Sequence, residues 1–328
     1  MDRIVRSIWT EEQRIAWFKS QLSKAIGEDM EHKYPGGHWV TMHGSHVYLK
    51  DNGDIADETF PKLKDMINQG SGGHLGGAGA KQIYSDKHGH QFIFKPGVSK
   101  YGDVEEFRPY VQQAVSQIAG RILEHGDHVP LKVDRNERGM LGTVQPLVPG
   151  VIGNLKEIDW HSLSPAQLAD IQREQVLDWV VGNFDSHAGN FILTEDGKIR
   201  GVDKEQAFRY MKDPKSHSMN TRYHPNEQYG EREPIYNEMY REYAQGKIKL
   251  DPSVVDKPLS LLERIPDDEY KAILRPYADK IGLGDKFYEA AINRKNNARA
   301  EFDRFFARLE KDRSMRAAAK ALIITRIR

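Results

Sequence analysis

Apolar residues at Ile15, Phe18, Leu22 and Ile26 mark one face of a 3.6-residue period and predict a helix over 10–26. The pattern then changes. Trp39-Val40-Thr41-Met42 and His46-Val47-Tyr48-Leu49 are short β-type runs, and Asp51-Asn52-Gly53 reads as a turn. Six glycines in 70–79 interrupt the chain. Beyond them, Lys81 to Tyr84 and Gln91 to Phe94 flank a turn at Asp86-Lys87-His88-Gly89 and predict a β-hairpin. Val111, Val115, Ile118 and Ile122 share a helical face within 105–123. Leu141 to Val148 reads as a strand. Ser164-Pro165-Ala166-Gln167 is a helix start: Ser caps, Pro takes the first position and Gln closes a capping box. That helix carries Leu168, Ile171, Val176 and Trp179 and stops near Gly182. After the polar, irregular stretch 213–230, expected to be mobile, helical patterns fill 236–244, 259–264, 268–274 and 286–313.

Strands therefore crowd the first half and helices the second, an α+β arrangement. The expected divisions are a helix-plus-hairpin appendage (1–68), a β-rich part (69–149), a helical part (150–314) and a basic tail (315–328). Lys+Arg and Asp+Glu both number 48, and this balance argues against a protein whose main task is coating nucleic acid. The chain has no cysteine, which removes disulfides, thiolate catalysis and Cys-ligated zinc. The first residues are charged throughout and lack the apolar core of a secretory signal. The expectation is a cytoplasmic protein, or one acting in a host cytosol after delivery.

The densest chemistry lies in 182–203. A helix end is followed by a tight loop with Asp185, His187 and Asn190, then by a β-type run to Thr194, Asp196-Gly197, and a second run ending at Asp203. Asp-Gly favours a two-residue type I′ turn. That turn would set Glu195 against Lys198, Phe191 against Val202 and Asn190 against Asp203. Directly opposed residues have Cβ atoms ~5 Å apart, so an amide oxygen and a carboxylate would share one divalent cation. Hard oxygen ligands suit Mg²⁺. Asp185, in the loop feeding this pair, is suited to orient or deprotonate a hydroxyl, with His187 assisting.

The order of an Asp, an Asn five residues later and a second Asp after a hairpin is that of protein kinases. The string Asn183-x-Asp185-x-His187-x-x-Asn190, with Gly201-Val202-Asp203, more closely resembles the phosphatidylinositol 3-/4-kinase and HipA-like kinase families. Phe92-Ile93-Phe94-Lys95-Pro96 resembles their nucleotide-lysine strand. The resemblance covers 70–208 and implies a two-lobe kinase-like fold, with a β-rich N-lobe over 69–149 and a helical C-lobe over 150–314. It implies ATP and Mg²⁺ as cofactors. Lys95 would hold phosphates, Gly76, Gly77 and Gly79 would approach them through backbone N–H groups, and Gln145 and Leu147 would flank adenine. Asn190 and Asp203 would bind the metal. The acidic partner of the lysine falls to Glu106, although Glu105 and Glu106 sit at the very start of the following helix and Gln112-Gln113 occupy its middle.

The implied reaction is transfer of the ATP γ-phosphate to a hydroxyl, on a protein in preference to a lipid. Many lipid kinases carry Arg after the catalytic Asp, where this chain has Ser186. The alternatives are transfer of AMP or another group, and a non-catalytic particle component; His38 to Ile55 resembles hairpin segments of phage head-associated proteins. The tail from Arg294 is rich in Lys and Arg and offers contact with an anionic surface. Phe302, Phe305, Phe306 and Leu309 instead predict a helix that packs its aromatic face inward.

Overall fold

The computed structural model describes residues 29–75, 80–98, 102–124, 126–156, 159–211 and 233–327, with side chains to 317. The helix expected over 10–26, the polar stretch 213–230, and Gly76, Gly77 and Gly79 lie outside the described residues.

The chain divides into two compact units. The first comprises 1–41 and 46–60, and the second 42–45 and 61–328. Strands β1 (His38–Met42) and β2 (Ser45–Leu49) form the expected hairpin. Met30, Tyr48 and Ala56 make a small core against which Tyr34 and Trp39 pack.

The second unit is built on a five-stranded antiparallel sheet of order β3-β4-β5-β7-β6. Its strands are β3 (Ile67–Ser71), β4 (Gln82–Ser85), β5 (Gln91–Pro96), β6 (Lys132–Arg135) and β7 (Leu141–Pro146). The β4–β5 turn is set by Asp86, whose carboxylate accepts from the N–H groups of His88 at 2.8 Å and His90 at 2.9 Å, while Gly89 takes a φ of +83°. Three further strands, β8 (Val151–Asn154), β9 (Phe191–Thr194) and β10 (Ile199–Gly201), form a separate sheet of order β10-β9-β8.

Six helices of eight residues or more complete the described part: α1 (Arg108–Ile122), α2 (Pro165–Val181), α3 (Ile235–Ala244), α4 (Asp256–Glu263), α5 (Asp267–Lys280) and α6 (Asp285–Ile327). The cap of α2 forms as the sequence predicts. Gln167 N donates to Ser164 Oγ at 3.3 Å, Ser164 N donates to Gln167 Oε1 at 2.8 Å, and Gly182 ends the helix at φ +61°. Helix α1 begins at Arg108, three residues later than expected, with Pro109 in its first turn. Glu105 and Glu106 thus precede the helix.

The helical core joins Trp179 of α2, Tyr236 and Tyr240 of α3, and Phe302 and Phe305 of α6, all essentially buried. The aromatic face of the last helix therefore packs inward. Two cations assigned to the basic tail are interior as well. Arg294 stacks 4.3 Å over the Trp179 ring, and Lys295 donates to Ile265 O at 2.8 Å and pairs with Asp267 at 2.9 Å. Among the described residues no helix is long and apolar enough to cross a membrane.

Candidate active site

Lys95 stands near the end of β5, opposite Thr143 of β7. Its neighbour across the ladder, Gly142, is held to a bare Cα: a Cβ there would meet Lys95 O at 2.4 Å and the Phe94 ring at 2.5 Å. The lysine side chain is 16% exposed, and Nζ lies 3.4 Å from Asp203 Oδ1, 108 residues further on. The sheet and the segment after β10 thus meet at one ion pair.

The loop after α2 supplies the other groups. Asn183 Oδ1 accepts from Asp185 N at 3.3 Å. His187 Nδ1 accepts from Gly189 N at 3.0 Å, which places the proton of a neutral ring on Nε2, 3.7 Å from Asp185 Oδ1. Asn190 Nδ2 donates to the Asp185 carbonyl at 2.8 Å. Only the NH₂ end can face a carbonyl, so the Asn190 amide oxygen is the end left for a cation.

The hairpin differs from the expected one by one residue. Ile199 pairs with Leu193, Arg200 with Ile192 and Gly201 with Phe191, and Val202 N donates to Asn190 O at 2.8 Å. Asn190 therefore stands against Val202, not Asp203. The turn is a three-residue loop, Glu195-Asp196-Gly197, closed by Thr194 N to Lys198 O at 3.1 Å, with Gly197 at φ +78°. Asp196 fixes it: its carboxylate accepts from Lys198 N at 3.1 Å and from Arg200 Nη2 at 2.7 Å. Asp203 leaves the ladder at φ +60°. This is left-handed backbone that costs a non-glycine residue ~1 kcal/mol. That bend, instead of cross-strand opposition, sets the direction of its carboxylate.

Lys95 chiefly, with Lys81 and His187 adding to it, holds the Asp203 carboxyl below the usual carboxylate range. Burial and the nearby Asp203 push Glu205 up, opposed by Arg108 at 2.6 Å. Burial and Lys95 together lower Lys81. The expected Lys95–Glu106 pair is not what forms. Glu106 pairs with Lys280 of α5, and Glu105 with Arg108, because α1 starts too late to carry either acid toward β5.

Gln145 is buried opposite Ile93 and lines, with Gln112 and Glu174, a cavity of about 40 Å³ that Asp203 borders. Leu147 N donates to Gln91 O at 2.9 Å. Any contact of Leu147 with a purine would therefore run through its carbonyl or side chain.

The sequence reading missed Asp178. This carboxylate is fully buried within α2 and accepts from Ser186 Oγ at 2.6 Å, Tyr236 OH at 2.7 Å, Lys204 Nζ at 2.7 Å and Asn183 Nδ2 at 3.0 Å. Glu174, also buried, pairs with Lys204 at 2.8 Å. Ile235 N adds a bond to Ser186 O at 2.8 Å. One carboxylate thus ties together α2, the Asp185 loop, the residue after Asp203 and the start of α3. The polar residues Gln172, Glu174, Gln175 and Asp178 all lie buried in the C-terminal part of α2.

No known protein family matches the chain, and no curated protein matches its sequence. Solved structures with some likeness include a Helicobacter pylori proinflammatory kinase, CtkA, at 10% identity, covering 75% of this chain and 96% of that one with a TM-score of 0.40. An N-terminal 618-residue fragment of LepB from Legionella pneumophila is 15% identical and covers 67% of this chain and 46% of its own, with a TM-score of 0.35. Likeness this loose decides neither fold nor function.

Proposed function

We propose that this chain is a two-lobe, kinase-like phosphotransferase that moves the γ-phosphate of ATP to a hydroxyl with the help of Mg²⁺. The observation that carries the reading is the convergence of Lys95, Asp185, Asn190 and Asp203. A strand lysine meets Asp203 at 3.4 Å, while the Asn190 amide is bonded to the Asp185 backbone at 2.8 Å. Phosphoryl transfer asks a protein mainly to position and to neutralise charge, and these groups suit both tasks.

The donors fit the metal. Mg²⁺ typically takes one or two protein oxygens and fills its shell with phosphate and water. Asp203 and Asn190 offer one carboxylate and one amide oxygen, and the described residues hold no cluster of three or more acidic or histidine side chains that would form a full protein cage. When bound there, Mg²⁺ would neutralise phosphate charge. Lys95 would exchange its contact with Asp203 for a phosphate oxygen. Asp185 would accept the acceptor's proton as the oxygen–phosphorus bond forms and the bond to ADP breaks, with the His187 ring 3.7 Å away to assist.

A protein acceptor fits better than a lipid. Ser186, which occupies the position of the lipid-kinase Arg, is fully buried, and its hydroxyl is spent on Asp178.

The test is transfer from γ-labelled ATP by the full chain, with and without Mg²⁺, followed by intact mass, which separates an added phosphate from an added AMP. Asp203→Ala should abolish transfer. Asn190→Ala should be severe but milder, since it removes no formal charge. Asp185→Ala should keep the Mg-ATP-dependent rise in melting temperature and lose turnover. Full transfer by Asp203→Ala at unchanged Mg²⁺ dependence sinks the site.

A further inference from the structure

Lys156 belongs to none of the motifs above, yet its side chain lies on the catalytic loop. Its backbone is fixed at the end of β8: Asn154 pairs with Ile192, Leu155 N donates to Phe191 O at 3.0 Å, and Lys156 N donates to Asn154 Oδ1 at 3.0 Å. Leu155 is 3% exposed and turns inward, while Lys156 is exposed. From there the side chain crosses Gly189. A Cβ on Gly189 would fall 2.7 Å from Lys156 Cε, 3.0 Å from its Nζ and 3.0 Å from His187 Cε1. An ammonium group and an imidazole therefore flank the same Cα, in the loop between Asp185 and Asn190.

A solvated surface lysine needs no gap in a neighbouring loop. Here the gap exists because residue 189 has no side chain, and Gly189 does not need glycine for its own backbone, since its φ is not positive. Among the described residues Lys156 has no carboxylate partner. Two other lysines of the site are matched: Lys95 by Asp203, and Lys204 by Asp178 and Glu174. A cation held over the loop between Asp185 and Asn190, beside His187 and with no carboxylate partner among the described residues, suits an anion that arrives with the substrate.

We propose that Lys156 is a further catalytic residue that donates to an oxygen of the phosphoryl group in flight. The inference rests on the phosphotransfer reading above. Lys95 approaches the phosphates from the five-stranded sheet, and Lys156 approaches the transferred group from the three-stranded one. Lys156 keeps its proton throughout. The acceptor oxygen bonds to phosphorus, the bond to ADP breaks and Asp185 takes the acceptor's proton. Charge on the equatorial oxygens grows in that transition state, so a donor aimed there acts on kcat more than on nucleotide binding.

The experiment compares the parent chain with Lys156→Met and Lys156→Arg, reading Mg-ATP turnover as phosphate released to water plus label gained by the protein. Lys156 is exposed, so both variants should melt with the parent. Lys156→Met is expected to lose on the order of 100-fold in kcat, with KM for ATP and the Mg-ATP melting shift little changed. Lys156→Arg should recover most of the rate because it restores charge and donors. Parent-like kcat in Lys156→Met overturns this inference and leaves the phosphotransfer reading standing. A loss confined to KM for ATP also overturns it, by making Lys156 a nucleotide-binding group. A parent chain that turns over no ATP removes both.

Discussion

Replacing Asp178 by Asn changes one charge and almost no volume, so its effect can be worked from the contacts. Lys204 loses a partner at 2.7 Å and keeps Glu174 at 2.8 Å. Breaking a buried ion pair from one side costs ~3–5 kcal/mol, and the remaining carboxylate places this case near the lower end, about 3 kcal/mol. The hydroxyls of Ser186 and Tyr236 can rotate to accept from the new amide, so they add little. In a unit of this size ~2 °C of midpoint follows each kcal/mol, which gives a fall of roughly 6 °C. Turnover should drop as well, because Asn183 and Ser186 of the Asp185 loop hang on the same carboxylate. Thermal melts and urea titrations of Asp178→Asn, Lys204→Met and the double variant test this. With the cation gone, nothing is left for Asp178 to neutralise, so the double variant should be more stable than the sum of the singles by ~1–3 kcal/mol. An Asp178→Asn chain that melts with the parent, or singles that simply add, would refute the reasoning.

Three other outcomes are expected. Lys95→Ala should leave the melting of the nucleotide-free chain within ~1 kcal/mol, as for other partly exposed ion pairs, and should remove most of the stabilisation by Mg-ATP. An unfolded Lys95→Ala chain would show a structural lysine instead. The same pair sets a pH dependence. Asp203 is held low in the folded chain, so its contribution is fully present above the ordinary Asp value of about 3.9 and is lost as pH falls through the depressed value. In Lys95→Met the carboxyl returns toward the ordinary range, and the acid limb of an unfolding titration should move up in pH. Gly142→Ala drives a methyl to 2.4 Å from Lys95 O and 2.5 Å from the Phe94 ring. It should cost ~1–3 kcal/mol by overpacking and weaken the Mg-ATP melting shift, whereas a parent-like melt with a normal shift would show that β5 and β7 part freely.

The elements that the sequence made legible are those with strong local signals. The capped helix α2, the Asp86 hairpin and the aromatic face of α6 form as their patterns predict. Lys95 reaches Asp203, and Asn190 reaches the Asp185 backbone, across elements whose local turn chemistry could be read from the sequence. The exact pairing of β9 with β10 was not legible. Asp-Gly favours a two-residue turn but also fits a three-residue loop with its Gly left-handed, and the choice falls to the bonds of Asp196 with Lys198 N and Arg200 and of Glu195 N with Gly150 O. The misplacement of Glu106 has a similar cause, since a helix start moved by three residues turns an acid toward Lys280. Asp178 was hidden for another reason. A lone Asp within a helical pattern reads as a solvated face until the helix is seen to be enclosed.

Gly201 carries a consequence for how the chain can vary. A Cβ at that position would lie 2.1 Å from Glu174 Oε1 and 2.6 Å from Lys204 Nζ. The strand next to Asp203 is therefore bare because an ion pair passes across it. Residues 174, 178, 201 and 204 form an epistatic block: a side chain at 201 is excluded while Glu174 and Lys204 hold their places, and Lys204 cannot leave without stranding the charge of Asp178. One-at-a-time scanning would score all four as intolerant, although the constraint belongs to the group. An apolar replacement of the whole set, with a small side chain admitted at 201, is a route that single substitutions cannot reach.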